Sequence, residues 1–303
     1  MLDLAIIGGG PAGLTAGLYA VRAGANVCLY EELFTGGQIV KTHRIDNYPG
    51  ISDGPDGYAL AARFEEHATK FGLQIRYGTV SDLVLTDDQK RFTFNGEAVE
   101  AKTVILATGA SPKTLGIEGE KELTGHGVSY CATCDGAFYK NRTAAVIGGG
   151  DTAISDALYL SKLCQTVFVV HRRDELRASA ILADAAKQAE NIRFIWNSVP
   201  EAFLGEGKLS GVRLKNRVTG ETSVLETDAA FVAVGIVPRT ELFKGQIKLA
   251  ENGSAETNER METNIKGVFA AGDVRNTPLR QVVTACADGA IAASAAMEVI
   301  RVK

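Results

Sequence analysis

"AIIGGGPAGLTAGLYAVRAGANVCLYE", from Ala5 to Glu31, is echoed 140 residues later by "AVIGGGDTAISDALYLSKLCQTVFVVH", from Ala145 to His171. Each stretch reads as an apolar strand, a glycine turn, a helical pattern and a second apolar strand. Gly8 maps to Gly148, Gly10 to Gly150, Gly13 to Ala153, Tyr19 to Tyr159 and Glu31 to His171. This is the dinucleotide-binding fingerprint, and it occurs twice in register. The first glycine makes the tight turn and the second lets backbone approach a pyrophosphate. The third position, Gly or Ala, lets helix and strand pack closely. Free N–H groups and a favourable dipole at the helix N-terminus then face the phosphates. In the first copy these positions are Gly8, Gly10, Pro11, Ala12 and Gly13; in the second they include Gly148 and Gly150.

The copies differ where the second strand ends. Glu31 is placed to accept hydrogen bonds from a ribose with free hydroxyls, which suits FAD or NAD. The second copy ends in "HRRDELR", with His171, Arg172, Arg173 and Arg177. A carboxylate there would repel a 2′-phosphate, whereas clustered guanidiniums bind one, so this copy suits NADPH. "TVILATGA" (Thr103–Ala110) and "GVFAAGDV" (Gly267–Val274) read as buried strands ending in turns, and they favour FAD at the first site. The segment beginning "LRQVVTACADG" has helical character. The expected fold is α/β, with two Rossmann-like dinucleotide-binding domains, the NADPH domain inserted into the FAD domain. Residues 1–112 and 243–303 form the FAD domain and 113–242 the NADPH domain. "GASPKTLGIEGE" and "GIVPRTELF" supply Gly and Pro at the junctions.

Composition narrows the class. The chain has 303 residues and a formal net charge of −4, without a Lys/Arg stripe, which argues against a nucleic-acid surface. Met1–Ile7 lacks a basic flank and runs into glycines, so it reads as a first strand and not a signal peptide. No apolar run is expected to approach the roughly 18 residues of a membrane span. The five cysteines (Cys28, Cys131, Cys134, Cys164 and Cys286) are odd in number and scattered, unlike a secreted disulfide framework. A soluble cytoplasmic protein is the expectation.

"SYCATCDGAFY" (Ser129–Tyr139) sets two cysteines two residues apart, followed by Asp135. Such a pair can clip zinc, brace a loop or act as a redox disulfide. A structural zinc site needs four ligands, and the other cysteines are isolated while His43, His67, His126 and His171 form no ligand pair. No metal is expected. A purely structural disulfide suits a reducing compartment poorly. A redox pair beside two dinucleotide sites has a use: hydride passes to flavin, flavin reduces the disulfide, and the dithiol attacks an outside disulfide.

C-A-T-C-D-G at Cys131–Gly136, with "GGGDTA", "HRRDELRA", "FTGGQI" and "IDNYPG", resembles low-molecular-weight (bacterial-type) thioredoxin reductase, a class II pyridine nucleotide-disulfide oxidoreductase. The resemblance runs from about Gly8 to Gly289. It implies that Cys134 takes electrons as a charge-transfer thiolate and Cys131 is the interchange thiol. Asp135 is then the general acid and base, with a helix N-cap as its plain structural alternative. It places Gly37, Gln38, Asn47, Thr108, Gly109, Asp273, Arg280 and Gln281 near FAD, and Asp151 and Thr152 beside NADPH. It also implies a thioredoxin or thioredoxin-like partner, a homodimer, and rotation of the domains about the double linker between steps. His126 stands where relatives often carry arginine, and Ser155 and Asp156 where they often carry acids. Cys286, Cys28 and Cys164 read as core cysteines. The rival readings on this scaffold are a ferredoxin-linked thioredoxin reductase and a flavin dithiol oxidase, neither of which needs "HRRDELR".

Overall fold

Leu4, Ala5, Ile6 and Ile7 are all buried, and such a run buried on both faces belongs in the middle of a parallel sheet. The computed structural model describes residues 1–41, 45 and 47–301. Strand β1 (Leu2–Ile7) leads through three glycines into helix α1 (Pro11–Arg22) and then β2 (Val27–Glu31). Pro11 starts α1 where its missing N–H costs nothing, and no side chain caps this helix. Helix α2 (Gly57–Lys70) starts on Asp56, whose carboxylate accepts from Ala59 N–H at 2.7 Å. Strands β3 (Gln74–Tyr77), β4 (Val80–Leu85), β5 (Lys90–Phe94) and β6 (Glu97–Leu106) follow, then the short β7 (Ala110–Pro112).

The next segment holds α3 (Glu120–Leu123), β8 (Val128–Ser129), α4 (Ala132–Asp135), β9 (Thr143–Ile147), α5 (Asp151–Ser161) and β10 (Thr166–Val170). After these come α6 (Ala180–Gln188), β11 (Ile192–Ile195), β12 (Ser198–Leu204), β13 (Gly211–Asn216), β14 (Thr222–Glu226) and β15 (Ala229–Val232). Strand β16 (Ile236–Pro238) pairs with β7, and β17 (Val268–Ala270) and α7 (Val282–Arg301) complete the chain.

Two compact units result: Met1–Ser111 with Val237–Lys303, and Pro112–Ile236. In the first, the sheet runs β3-β2-β1-β6, with β17 on β6 and β5-β4 extending it. The inner strands β3, β2, β1, β6 and β17 are parallel. In the second, β11-β10-β9-β15-β8 form a parallel sheet and β12-β13-β14 an antiparallel one.

The sequence repeat is a repeat of hydrogen bonds. Gly8 N–H donates to Tyr30 O at 2.8 Å, and Gly148 N–H to Val170 O at 3.0 Å. Ala107 N–H donates to Ile7 O at 2.7 Å, and Ala233 N–H to Ile147 O at 2.9 Å. Gly8 (φ +110°) and Gly148 (φ +151°) adopt backbone that side chains avoid, and a Cβ on either would run into the carbonyl of Ala107 or Ala233. The two faces of each central strand feed separate cores. Leu4 and Ile6 pack with α1 and α7, while Ala5 and Ile7 pack with Phe92, Phe94 and Phe243. Likewise Ala144 and Val146 face α5, and Ala145 and Ile147 face Phe203 and Val212.

Helix α7 is the longest of the described helices. It is 20 residues long and holds an 18-residue window of mean hydropathy 1.4, so by length and composition alone it could cross a membrane. Half of that window is buried against the protein itself, and Asp288 lies in its middle, ion-paired with Arg275 at 3.1 Å. Its apolar character comes from packing on α1 through small residues such as Ala285, Ala292 and Ala296. A Cβ on Gly289 would strike the Ala12 carbonyl, so the two backbones nearly touch.

Candidate active site

Cys131 and Cys134 are bonded to each other, with Cα atoms 5.3 Å apart, a separation that suits a disulfide. Strand β8, held by β15 at Phe231, delivers the chain to Tyr130 and Cys131. Cys131 is extended (φ −144°, ψ 99°), and α4 then turns back so that Cys134 N–H and Asp135 N–H both reach Cys131 O, at 3.3 and 3.1 Å. One turn of helix thus brings the two sulfurs together. Both cysteines are half-buried. Gly136 permits the following turn to sit on α5, because a Cβ there would come within 2.8 Å of Leu160.

Asp135 makes no capping bond to the turn that follows it. Its carboxylate accepts from the Ser129 hydroxyl at 2.6 Å, and the same hydroxyl accepts from Cys131 N–H at 3.1 Å. The sequence reading did not single out Ser129; its only signal was a small hydroxyl two residues before the first cysteine. The remaining cysteines, Cys28, Cys164 and Cys286, are buried and unbonded. Burial pushes the Cys164 thiol up to about 11 and raises those of Cys28 and Cys286, as befits packing residues. His126 is exposed in the turn before β8.

The first unit carries a glycine cradle at the C-terminal ends of β1, β2, β6 and β17. Nothing lies within 4 Å of a Cβ built on Gly10, leaving room over the uncapped N-terminus of α1. Gly37 overhangs Gly10, its own Cβ position 3.3 Å from Gly10 Cα, and Gln38 follows it. Glu31 accepts from Gly9 N–H at 2.7 Å with one oxygen and from Leu33 N–H at 3.3 Å with the other. Thr108, next to the Gly8 turn, donates to Arg239 O at 2.6 Å, and Gly109 has φ +72°. Asn47 donates to Gln281 at 2.9 Å.

Asp273 sits in the turn after β17, where burial raises its carboxyl above the ordinary value while nearby Arg280 opposes the rise. Arg280 Nε is buried without a hydrogen-bond partner among the described residues. Asp288, which the sequence reading missed, fixes that turn by accepting from Gly272 N–H at 3.1 Å and from Arg275. A carboxylate amid the small residues of α7 was the available signal. The open glycine turn and the orphaned, buried Arg280 Nε fit a large polar cofactor with phosphates.

The second unit repeats the cradle. Space over Gly150 is again open, and Asp151 at the start of α5 accepts from Ser179 N–H at 2.6 Å. Arg177 N–H donates to Gly149 O at 2.7 Å, folding the arginine loop over the glycine turn. Arg172, Arg173 and Arg177 are exposed, and their guanidiniums make no hydrogen bond or ion pair among the described residues. Thr152 is exposed on the first turn of α5. His171 parts company with the arginines. It is only 5% exposed and lies under Gly149, whose Cβ would strike its ring. Burial first, then Arg172 and Arg173, hold its pKa below the usual histidine value, and its Nε2 has no partner among the described residues.

Two glycine cradles on parallel sheets, one beside unpaired guanidiniums, together with a Cys-x-x-Cys disulfide at a strand end, define a dinucleotide-dependent disulfide oxidoreductase. Residues 2–289 match the pyridine nucleotide-disulphide oxidoreductase family, and the chain belongs to it. Thioredoxin reductase of Peptoclostridium acidaminophilum is 48% identical over 302 residues, spanning 97% of this chain and 95% of that one. Thioredoxin reductase of Listeria monocytogenes is 44% identical, spanning 98% and 93%. The crystal structure of thioredoxin reductase from Streptococcus pyogenes superposes with a TM-score of 0.92 at 42% identity, covering 100% of this chain and 99% of that one. The chain is an oxidoreductase of this α/β fold, and thioredoxin reductases of the family use FAD and NADPH.

Proposed function

We propose that this protein reduces the disulfide of thioredoxin, or of a thioredoxin-like protein, with electrons from NADPH. The observation that carries the reading is the Cys131–Cys134 disulfide, followed directly in the chain by Asp135, whose carboxylate Ser129 holds. The cradle at Gly8–Gly13 and Glu31, with Gly37, Asp273 and Arg280, would hold FAD. The cradle at Gly148–Thr152, with Arg172, Arg173 and Arg177, would hold NADPH, His171 packing beneath it. When bound, NADPH supplies a hydride equivalent and FAD a two-electron relay, which together reduce the disulfide.

The reduced pair then acts through its own atoms. The Cys131 thiolate attacks one sulfur of the partner disulfide, forming a mixed disulfide and releasing a thiolate on the partner. The Cys134 thiolate attacks Cys131 Sγ, reforming the Cys131–Cys134 bond and releasing the partner's second sulfur. Asp135 transfers protons to and from these sulfurs, so that the departing pair leaves as a dithiol. The free guanidiniums of the second cradle favour NADPH over ferredoxin as the electron source. The two chain crossings, at 111–112 and 236–237, are the hinge for the inferred rotation between steps. A cross-link that locks the units without slowing turnover would sink that element.

A cytoplasmic homodimer without nucleic-acid or membrane partners completes the reading, supported by the mild negative charge and the scattered, unbonded cysteines. The test is anaerobic NADPH oxidation by a trace of the flavin-loaded protein, with and without thioredoxin from the same organism. Oxidation that needs both thioredoxin and Cys131 supports the reading. Flavin bleaching by NADPH without any effect of thioredoxin would assign another partner. Failure to bleach would overturn the NADPH assignment.

A further inference from the structure

We infer that Ser129 is the positioning residue of the proton-transfer group, holding the Asp135 carboxylate in one place in both of its protonation states. The inference rests on the reading of Asp135 as the proton donor. Ser129 is only 6% exposed and lies at the end of β8, where pairing with β15 fixes its backbone. Its hydroxyl has one hydrogen to give and two lone pairs. In the structure it accepts from Cys131 N–H at 3.1 Å and lies 2.6 Å from Asp135 Oδ2, with Cys131 O at 3.4 Å as a second place to donate.

When Asp135 is ionised, the hydroxyl donates to the carboxylate. When Asp135 carries a proton, the roles reverse: the carboxyl O–H donates to Ser129 Oγ, and the serine hydrogen turns to Cys131 O. Asp135 is therefore held in the same place before and after it gives a proton to a cysteine thiolate, the step that turns the carboxyl into a carboxylate and the thiolate into a thiol. The Cys131 N–H bond stays made in either state, so the same oxygen fixes the cysteine backbone. A valine or alanine at this position would leave Cys131 N–H and one carboxylate oxygen without that partner.

Burial, and after it the Asp135 charge, raises the pKa of Tyr139 in the turn after Asp135; Arg142 and Asp228 act on the same tyrosine. Tyr159 packs from α5 beneath Gly136.

The test uses the flavin-loaded protein, reduced anaerobically with excess dithiothreitol and freed of it. The rate of Cys131 alkylation by iodoacetamide is then followed between about pH 5 and 9, where thiolate fraction sets the rate. The proposed proton transfer couples the carboxyl to the thiol, so the profile should show two steps. S129A should move the lower step up by about one pH unit, because the ionised carboxylate loses a donor. S129T should restore it. In D135N the lower step should vanish, and adding S129A should then change nothing. The isosteric pair S129T and S129V makes the same comparison if the alanine variant does not fold. An equal S129A shift in the D135N background, or an unshifted S129A profile, overturns the role of Ser129 alone. A D135N profile identical to the wild type overturns the proton-donor reading and this inference with it.

Discussion

Asp288, in the middle of α7, meets the Arg275 guanidinium at 3.1 Å with both side chains nearly buried. The same carboxylate accepts from Gly272 N–H, so one residue ties the last helix to the turn that carries Asp273. Removing one member of a buried ion pair leaves the other charge uncompensated, at a cost of about 3–5 kcal/mol. Asp288→Ala should therefore lower the midpoint of urea unfolding substantially. It should also release FAD more readily, read as a rise in free flavin fluorescence. Unchanged stability would mean the pair contributes nothing net.

Arg172 and Arg173 stand exposed and unpaired beside the second cradle. A charge-assisted bond to a phosphate contributes about 1.5–3 kcal/mol, or roughly 10- to 100-fold in affinity. Arg172→Ala and Arg173→Ala should each raise the KM for NADPH within that range, leaving kcat and the KM for NADH nearly unchanged. Equal losses with both nucleotides would remove the 2′-phosphate from the account.

Burial raises the Asp156 carboxyl on α5 from 3.8 to about 6. The fold thus favours the neutral acid. Its stabilising effect is complete below about pH 4 and is lost as pH rises through about 6. At pH 8 the charged form is buried at a cost on the order of 2–3 kcal/mol. Asp156→Asn should raise the melting temperature at about pH 8 and leave it unaltered near pH 4. A stabilisation that does not depend on pH would assign the effect to packing.

His171 works in the opposite sense. Its pKa is depressed by burial and then by Arg172 and Arg173. Folding favours the neutral ring, so stability falls as pH drops below the ordinary histidine value of about 6.5 toward the lower folded value. His171→Gln should flatten that part of the stability profile, measured by urea unfolding at a series of pH values. An unaltered slope would show that other groups set it.

Gly8 combines φ +110° with a backbone carbonyl in the place a Cβ would take. Gly8→Ala should destabilise the first unit by about 1–3 kcal/mol and lower its flavin content at purification. Full flavin content at wild-type stability would show that the turn can move aside.

Much of the plan was legible in order along the chain. The two glycine turns, the strands around them and the helical tail from Val282 follow from local periodicity and turn chemistry, which neighbouring residues determine. The pairing of Cys131 with Cys134 lies within one helical turn and was equally local. What the long apolar helix packs on was less legible, because composition alone does not say whether a helix packs on protein or on lipid. The separation of His171 from Arg172 and Arg173 was also hidden, since adjacent residues leaving a strand end point in different directions.

By itself, the sequence determined the doubled strand–turn–helix unit, the acidic end of one copy and the basic end of the other, and the position of the cysteine pair. Each depends on residues that are neighbours in the chain. Only the tertiary structure decided that Ser129 holds Asp135, that Asp288 anchors the turn of Asp273 through Arg275, and that His171 packs under Gly149. The last two join residues on separate elements. Ser129 and Asp135 are close in the chain, yet their contact depends on β15 fixing β8 and on α4 turning back over it. Such contacts arise when sheets and helices pack, and no local pattern records them.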